Sequence, residues 1–217
     1  MPELTREVLM GVLIWAVPVL LAITLHEASH GYVARHFGDP TAEMAGRITL
    51  NPLKHIDPVG TVILPLALFL SSGFVFGWAK PVPVNFGRLR HPKADMLWVA
   101  AAGPGSNLAM AVGWAFLWKL GAGSEPGSWL SGLVLMADAG IRINAVLMLL
   151  NLLPIPPLDG GRIAVSLLPL NVAMKFARLE PFGMLILVVL LISGILGSVL
   201  GPLMNLFLQM MMMLVGH

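Results

Sequence analysis

Stretches free of any charged residue set the rhythm of this chain. The first covers residues 8–25, and its helical pattern runs on into a polar stretch at 26–35. Further charge-free runs cover residues 58–79, 96–118, 143–158 and 181–214, with a shorter one at 163–174. A helix needs about 20 mainly apolar residues to cross a bilayer, so 163–174 is too short to span. At 1.5 Å per residue, 181–214 would make about 51 Å of helix, too long for one crossing and short for two. Gly201-Pro202 is the expected break there. The pattern predicts an all-α polytopic membrane protein with about four to six transmembrane helices.

Composition agrees with that class and narrows the chemistry. Of 217 residues, 57% are apolar and only 11% charged, against about a quarter charged in an ordinary soluble domain. Mean hydropathy is +0.86. The chain contains no cysteine, which excludes disulfides, thiolate metal sites and a cysteine nucleophile. Any metal must be held by His, Asp or Glu. The basic pI of about 9.3 comes from a net charge of only +2, with the basic residues in short loops. It reads as membrane topology, not as affinity for nucleic acid. Glu3, Arg6 and Glu7 precede the first apolar run, and that run flows into histidines, so it reads as a retained span and not a signal peptide. The loops leave no room for a soluble adaptor, and residues 1–217 read as one membrane-embedded domain.

Basic residues orient the spans. They cluster as Arg35, Arg47 and Lys54, then Lys80, Arg88, Arg90 and Lys93, then Arg162, Lys175 and Arg178. The connection over 119–129 has one lysine against Glu125. The first span then runs from outside to inside, 96–118 returns, and the stretch ending near residue 158 comes back inside. Both flanks of 58–79 are basic, and it contains Pro65, Ser71, Ser72, Gly73 and Gly77. A re-entrant segment satisfies both, provided its backbone is buried in protein or lines a wet cavity. Short β-like loops are expected on the inner side.

The sharpest chemical signal is His26-Glu27-Ala28-Ser29-His30. Residues four apart share one helical face, so both imidazoles can reach one zinc ion while Glu27 reaches a water on it. Such a water has its pKa lowered towards 7, and Glu27 as general base can turn it into a nucleophile for a peptide carbonyl. Counted from Val8, His26 lies about 27 Å along the helix, inside the inner half of a hydrocarbon core about 30 Å thick. Two histidines and a glutamate at that depth are costly unless they pair, bind metal or face water. The bland alternative makes this the inner end of the span at the headgroups. A catalytic zinc needs a third protein ligand. Asp159, in Asn151-Leu152-Leu153-Pro154-Ile155-Pro156-Pro157-Leu158-Asp159-Gly160-Gly161-Arg162, is the best carboxylate, with a turn or N-cap aspartate as its alternative. The three prolines force the chain off the helix, and Gly160-Gly161 permit a tight turn.

The combination of His26-Glu27-x-x-His30 in a hydrophobic span with Asn151-x-x-Pro-x-Pro-x-Leu-Asp159-Gly160-Gly161 resembles the site-2 proteases, intramembrane zinc metalloproteases. Gly38-Asp39-Pro40-Thr41, Gly46-Arg47-Ile48-Thr49-Leu50-Asn51-Pro52, Asp57-Pro58-Val59-Gly60, Gly77-Trp78-Ala79-Lys80-Pro81-Val82-Pro83-Val84-Asn85 and Gly103-Pro104-x-x-Asn107 are similar to the compact bacterial branch lacking PDZ and CBS domains. The resemblance covers about residues 25–169. It implies one zinc ion held by His26, His30 and Asp159, Glu27 as the base, and Asn151 where substrate or the oxyanion is held. It also implies a transmembrane protein substrate cleaved within the lipid bilayer. The setting it implies is a multi-pass protein of the bacterial cytoplasmic membrane, with its active site toward the cytoplasm.

A helical substrate must be unwound before hydrolysis, and strand-favouring residues at 46–51 and 81–85 could pair with it by strand addition. Asn107 reads either as a bond across closely packed helices or as a second substrate contact. Asp138 and Arg142, four apart, read as an ion pair. His55 and Asp57 read as a loop turn, and Met210 to Met213 as packing surface. The rival function is a zinc transporter, and a third is an inactive scaffold. A transporter needs a second polar helix and a path across the whole membrane; the intact Glu27 and ligand set argue against a scaffold. The sequence is silent on oligomeric state.

Overall fold

The computed structural model describes residues 3–63 and 77–216. Helix α1, Glu3–His36, is continuous through the apolar run and the His-Glu-x-x-His stretch. A short helix α2, Thr41–Met44, follows, and two long helices come next: α3, Pro92–Gly121, and α4, Trp129–Asn151. Ser128 starts α4 as its N-cap, its side chain accepting from the Ser131 N–H at 3.2 Å. The remaining helices are α5, Asp159–Leu167; α6, Leu170–Ala177; α7, Gly183–Ile192; and α8, Ile195–Leu214.

Three helical segments are long and apolar enough to cross a membrane: Leu9–His36, Trp129–Asn151 and Ile195–Leu214. Helix α3 has the length, but Gly103-Pro104-Gly105-Ser106-Asn107 dilutes its apolar run. Among the described residues the count therefore stands at three, against the four to six expected. The spanning or re-entrant segment at 58–79 lies largely outside the described residues. At its near end, Pro58–Ile63 forms a wide helical turn of the π type.

Two expectations need correction. The C-terminal apolar run breaks at Ser193-Gly194, not at Gly201-Pro202. Gly194 takes a left-handed conformation (φ +75°), which ends α7 at almost no steric cost to a glycine, while Pro202 is accommodated inside α8. The inner loops also form no β-structure: no strand is present among the described residues. Residues 46–51 fold into bends, with Asn51 capping the single turn Pro52–Lys54. Along 80–85, successive N–H groups go to unrelated acceptors, Lys80 to His55 O, Val82 to Glu27 and Asn85 to Asp39. Pro81 and Pro83 have no N–H to give, so a regular ladder cannot form there.

Helices α1, α3 and α4 pack on one another, α5 lies against α3, and α8 against α4. The core joins Ala111, Trp114 and Ala115 of α3 to Ala137, Ile141, Ala145 and Met148 of α4 and Phe207 and Met211 of α8. Small residues let the backbones approach closely, as membrane helices require when water supplies no driving force between them. Gly140 is one such case, since a Cβ there would lie 2.4 Å from the Trp114 ring. The outward face of α1 is apolar and exposed at Leu13, Trp15, Val17 and Leu21, which suits lipid. The anticipated Asp138–Arg142 ion pair is present at 2.7 Å on the exposed side of α4.

Gly140→Ala should lower the thermal-unfolding midpoint in detergent, by a destabilisation of about 1–3 kcal/mol, because the root of the indole cannot swing clear. Gly105→Ala is the control. It meets nothing within 4 Å and should be neutral or stabilising, by up to about 1 kcal/mol for a helical glycine. Equal midpoints for the two variants would contradict this packing.

Candidate metal centre

The i, i+4 spacing in α1 places His26 and His30 on the same face, turned toward α3, with side-chain centroids 4.8 Å apart. Asp159 joins them from elsewhere in the chain. Helix α4 ends at Asn151, residues 152–158 with their three prolines turn the chain, and Asp159 is the first residue of α5. Gly160 and Gly161 lie inside that helix and form no left-handed turn, which corrects the expected role of the pair. They are needed for close approach instead. A Cβ on Gly160 would sit 2.3 Å from the carbonyl oxygens of Leu152 and Leu153, and one on Gly161 2.6 Å from the Pro156 nitrogen. The loop can fold back over the start of α5 only because both side chains are missing.

Three ligand-type atoms converge. His26 Nε2 and His30 Nε2 are 3.2 Å apart, and Asp159 Oδ2 lies 3.2 Å from the first and 3.3 Å from the second. Both histidines are less than a tenth exposed. A tetrahedral zinc with bonds of about 2.0–2.1 Å has ligand atoms about 3.3–3.4 Å apart, so the triangle has the size of one face of such a site.

The protonation pattern points the same way. His30 Nδ1 lies 2.7 Å from the Val99 carbonyl, which can only accept, so Nδ1 carries the hydrogen. His26 Nδ1 lies 2.5 Å from Asn107 Oδ1 and donates to it. With Nδ1 as the donor, each ring turns its Nε2 toward the other and toward a carboxylate oxygen, and in the neutral form offers a lone pair there. Asp159 Oδ2 is buried with no hydrogen-bond donor. Three facing lone pairs in a buried site repel unless a cation or shared protons lie among them. The room for it comes from Gly103, where a Cβ would stand 2.4 Å from His30 Nε2 and 2.6 Å from His26 Nε2. The donor set, its spacing and the bare cradle fit zinc.

Glu27 is next to the ligand pair, and its Oε2 accepts from the Val82 N–H at 2.8 Å. Gly31, one residue past the pair, lets Ile48, Ala42 and Val82 close over α1. Asn107 is fully buried and bonds across helices: beyond His26, its Nδ2 donates to Asn144 Oδ1 at 2.9 Å and more weakly to Ala22 O at 3.4 Å. Asn151 lies on the last turn of α4, with its Nδ2 donating to Leu147 O at 2.9 Å, outside the ligand triangle. His55 and Asp57 take structural places, Asp57 accepting from the Val59 and Gly60 N–H groups and His55 bonding Thr49 O. Sequence reasoning missed Asn144, Val99, Val82 and the role of Gly103. Asn144 carried a faint signal as an amide inside an apolar helix, but nothing in one dimension pairs it with Asn107.

Gly103→Ala should leave the helical content unchanged and lower zinc affinity by at least about tenfold, the lower end of what disturbed metal surroundings cost. Competition against a chromophoric chelator reads the change, and unaltered affinity would show that the cradle is not where the ion sits.

Comparison with known proteins agrees with the geometry. A Bacillus subtilis protein named "Putative zinc metalloprotease YwhC" is 41% identical over 192 residues, covering 87% of this chain and 84% of its own. "Putative zinc metalloprotease Rip2" of Mycolicibacterium smegmatis is 34% identical over 176 residues, 80% of this chain and 64% of its own. Its namesake from Mycobacterium tuberculosis H37Rv is 28% identical over 179 residues. No protein-family model matches, and no solved structure does. On identity and coverage, the chain belongs to the site-2 protease family.

Proposed function

We propose that this protein is a zinc-dependent endopeptidase that hydrolyses peptide bonds within the transmembrane segments of other membrane proteins. The observation that carries the reading is the triangle of His26 Nε2, His30 Nε2 and Asp159 Oδ2, with sides of 3.2–3.3 Å, built on a helix apolar enough to span a bilayer. His26, His30 and Asp159 would hold the zinc ion. Zinc bound there supplies Lewis acidity, polarising a peptide carbonyl and lowering the pKa of a water.

The chain's own residues supply the rest. With Nδ1–H donated to Asn107 and to Val99 O, the two imidazoles are turned to offer Nε2 to the metal, and Asp159 would supply negative charge that offsets part of the cation's. Glu27 takes a proton from the attacking water and passes it to the departing amine nitrogen, so the water's oxygen ends on the new carboxylate as the C–N bond breaks. The Val82 N–H holds one oxygen of the Glu27 carboxylate and fixes its direction. Asn151, at the end of α4, is the residue we assign to substrate or the oxyanion. The basic clusters in the loops support a site facing the cytoplasmic side of a bacterial membrane.

Zinc bound per chain separates the roles of the residues. With helical content as a folding control, Glu27→Gln should keep its metal and lose cleavage of a reconstituted transmembrane substrate by about 10²–10⁴-fold, the usual contribution of a general base. Asp159→Asn should lose most of its metal. Zinc lost from Glu27→Gln and kept by Asp159→Asn would reverse the assignments and favour zinc transport over hydrolysis.

A further inference from the structure

Behind His26, away from the ligand triangle, lies a relay of amides with one direction. Asn144 Nδ2 donates to the Gly140 carbonyl at 2.8 Å, which can only accept. That fixes Asn144 Oδ1 toward Asn107, whose Nδ2 donates to it at 2.9 Å. Asn107 Oδ1 then faces His26 Nδ1 at 2.5 Å and can be satisfied there only by an N–H. Both asparagines are fully buried, so no water can reverse any link. The direction begins at a backbone carbonyl of α4, passes through α3 and ends on α1.

We propose that Asn144, which touches neither the ligand triangle nor solvent, is a positioning residue that fixes His26 as the Nδ1–H tautomer and so keeps its Nε2 lone pair available to the metal. The inference rests on the metal-site reading above and extends it to a residue on a third helix. Without Asn144, Asn107 keeps only its weak 3.4 Å contact with Ala22 O and can flip, presenting its NH2 to His26 Nδ1. The hydrogen then moves to Nε2, where it occupies the place of the metal. His30 has a separate anchor in the Val99 carbonyl, a backbone group that cannot flip, so the damage falls on one ligand only.

The test combines two substitutions with two readouts. Asn144→Leu removes the relay at similar volume. Asn144→Asp restores it, because a buried carboxyl stays protonated and can donate to Gly140 O while accepting from Asn107. Zinc affinity is measured by chelator competition, and the His26 tautomer by ¹⁵N NMR of histidine-labelled, metal-free protein in detergent, with the resonance identified by its loss in His26→Gln. We expect Asn144→Leu to bind zinc about tenfold or more weakly and to show an Nε2–H His26, as loss of a ligand's outer partner costs about 10–100-fold. Asn144→Asp should return both to near the wild-type values. Where Asn144→Leu fails to fold, Asn144→Ala carries the same expectation. Wild-type affinity and tautomer in Asn144→Leu would overturn the inference alone, as would an Asn144→Asp variant that stays equally weak with its Nδ1–H intact. A wild-type protein that binds no zinc would overturn the metal-site reading itself.

Discussion

Three lone pairs aimed at one point inside a membrane helix bundle are the constraint on which the rest of this structure depends. Left to themselves, His26, His30 and Asp159 would drift apart or take up protons, since nothing in the interior rewards their convergence except a cation. Convergence therefore has to be imposed by groups that are themselves immobile. A backbone carbonyl of α3 holds His30, an amide relay anchored on α4 holds His26, and a proline-rich turn with two glycines inside the following helix holds Asp159. The packing of α1, α3 and α4 by small residues is the same requirement seen from outside, because the relay spans three backbones and fails if any pair separates.

Much of this was legible in the sequence, and for a physical reason. His26 and His30 belong to one helix, so their spacing alone determines that they share a face. Asp159 was legible because prolines at 154, 156 and 157 cannot continue a helix, which singles out the carboxylate that follows. The glycines beside it were misjudged: their absence of side chain serves close approach, which depends on what packs against them, and sequence shows only that the side chain is absent. The C-terminal break was misplaced for a similar reason. Proline inside a membrane helix loses one hydrogen bond and can be absorbed, whereas the left-handed turn at Gly194 stops the helix outright. The β-like loops were read from side-chain preference at 81–85, where the decisive fact was the N–H groups that Pro81 and Pro83 lack.

Asn107 shows the limit most clearly. Its place in Gly103-Pro104-x-x-Asn107 left open a bond across helices or a contact with substrate, and the structure uses both ends of its amide for the first. The choice depends on Asn144, thirty-seven residues away on another helix. Polar pairs across membrane helices leave no periodic trace, because each partner is a single interruption in an apolar run.

The two sides of the site are built to different tolerances. On the α3 side there is no room for a methyl group at Gly103, so nothing as large as a peptide reaches the ligands past that helix. On the opposite side, the Glu27 carboxylate is met by the N–H of Val82, in an irregular segment joined to the rest of the chain by separate hydrogen bonds to Gly60, Thr61, His55, Arg47, Glu27 and Asp39. A segment held by isolated bonds can exchange them one at a time, whereas a packed helix cannot move without opening the core. The ligands thus need rigidity and the base needs access, and the fold separates them by placing helix on one face of the triangle and irregular chain on the other. The Glu27 side of the triangle is accordingly closed by irregular chain, and the α3 side by packed helix.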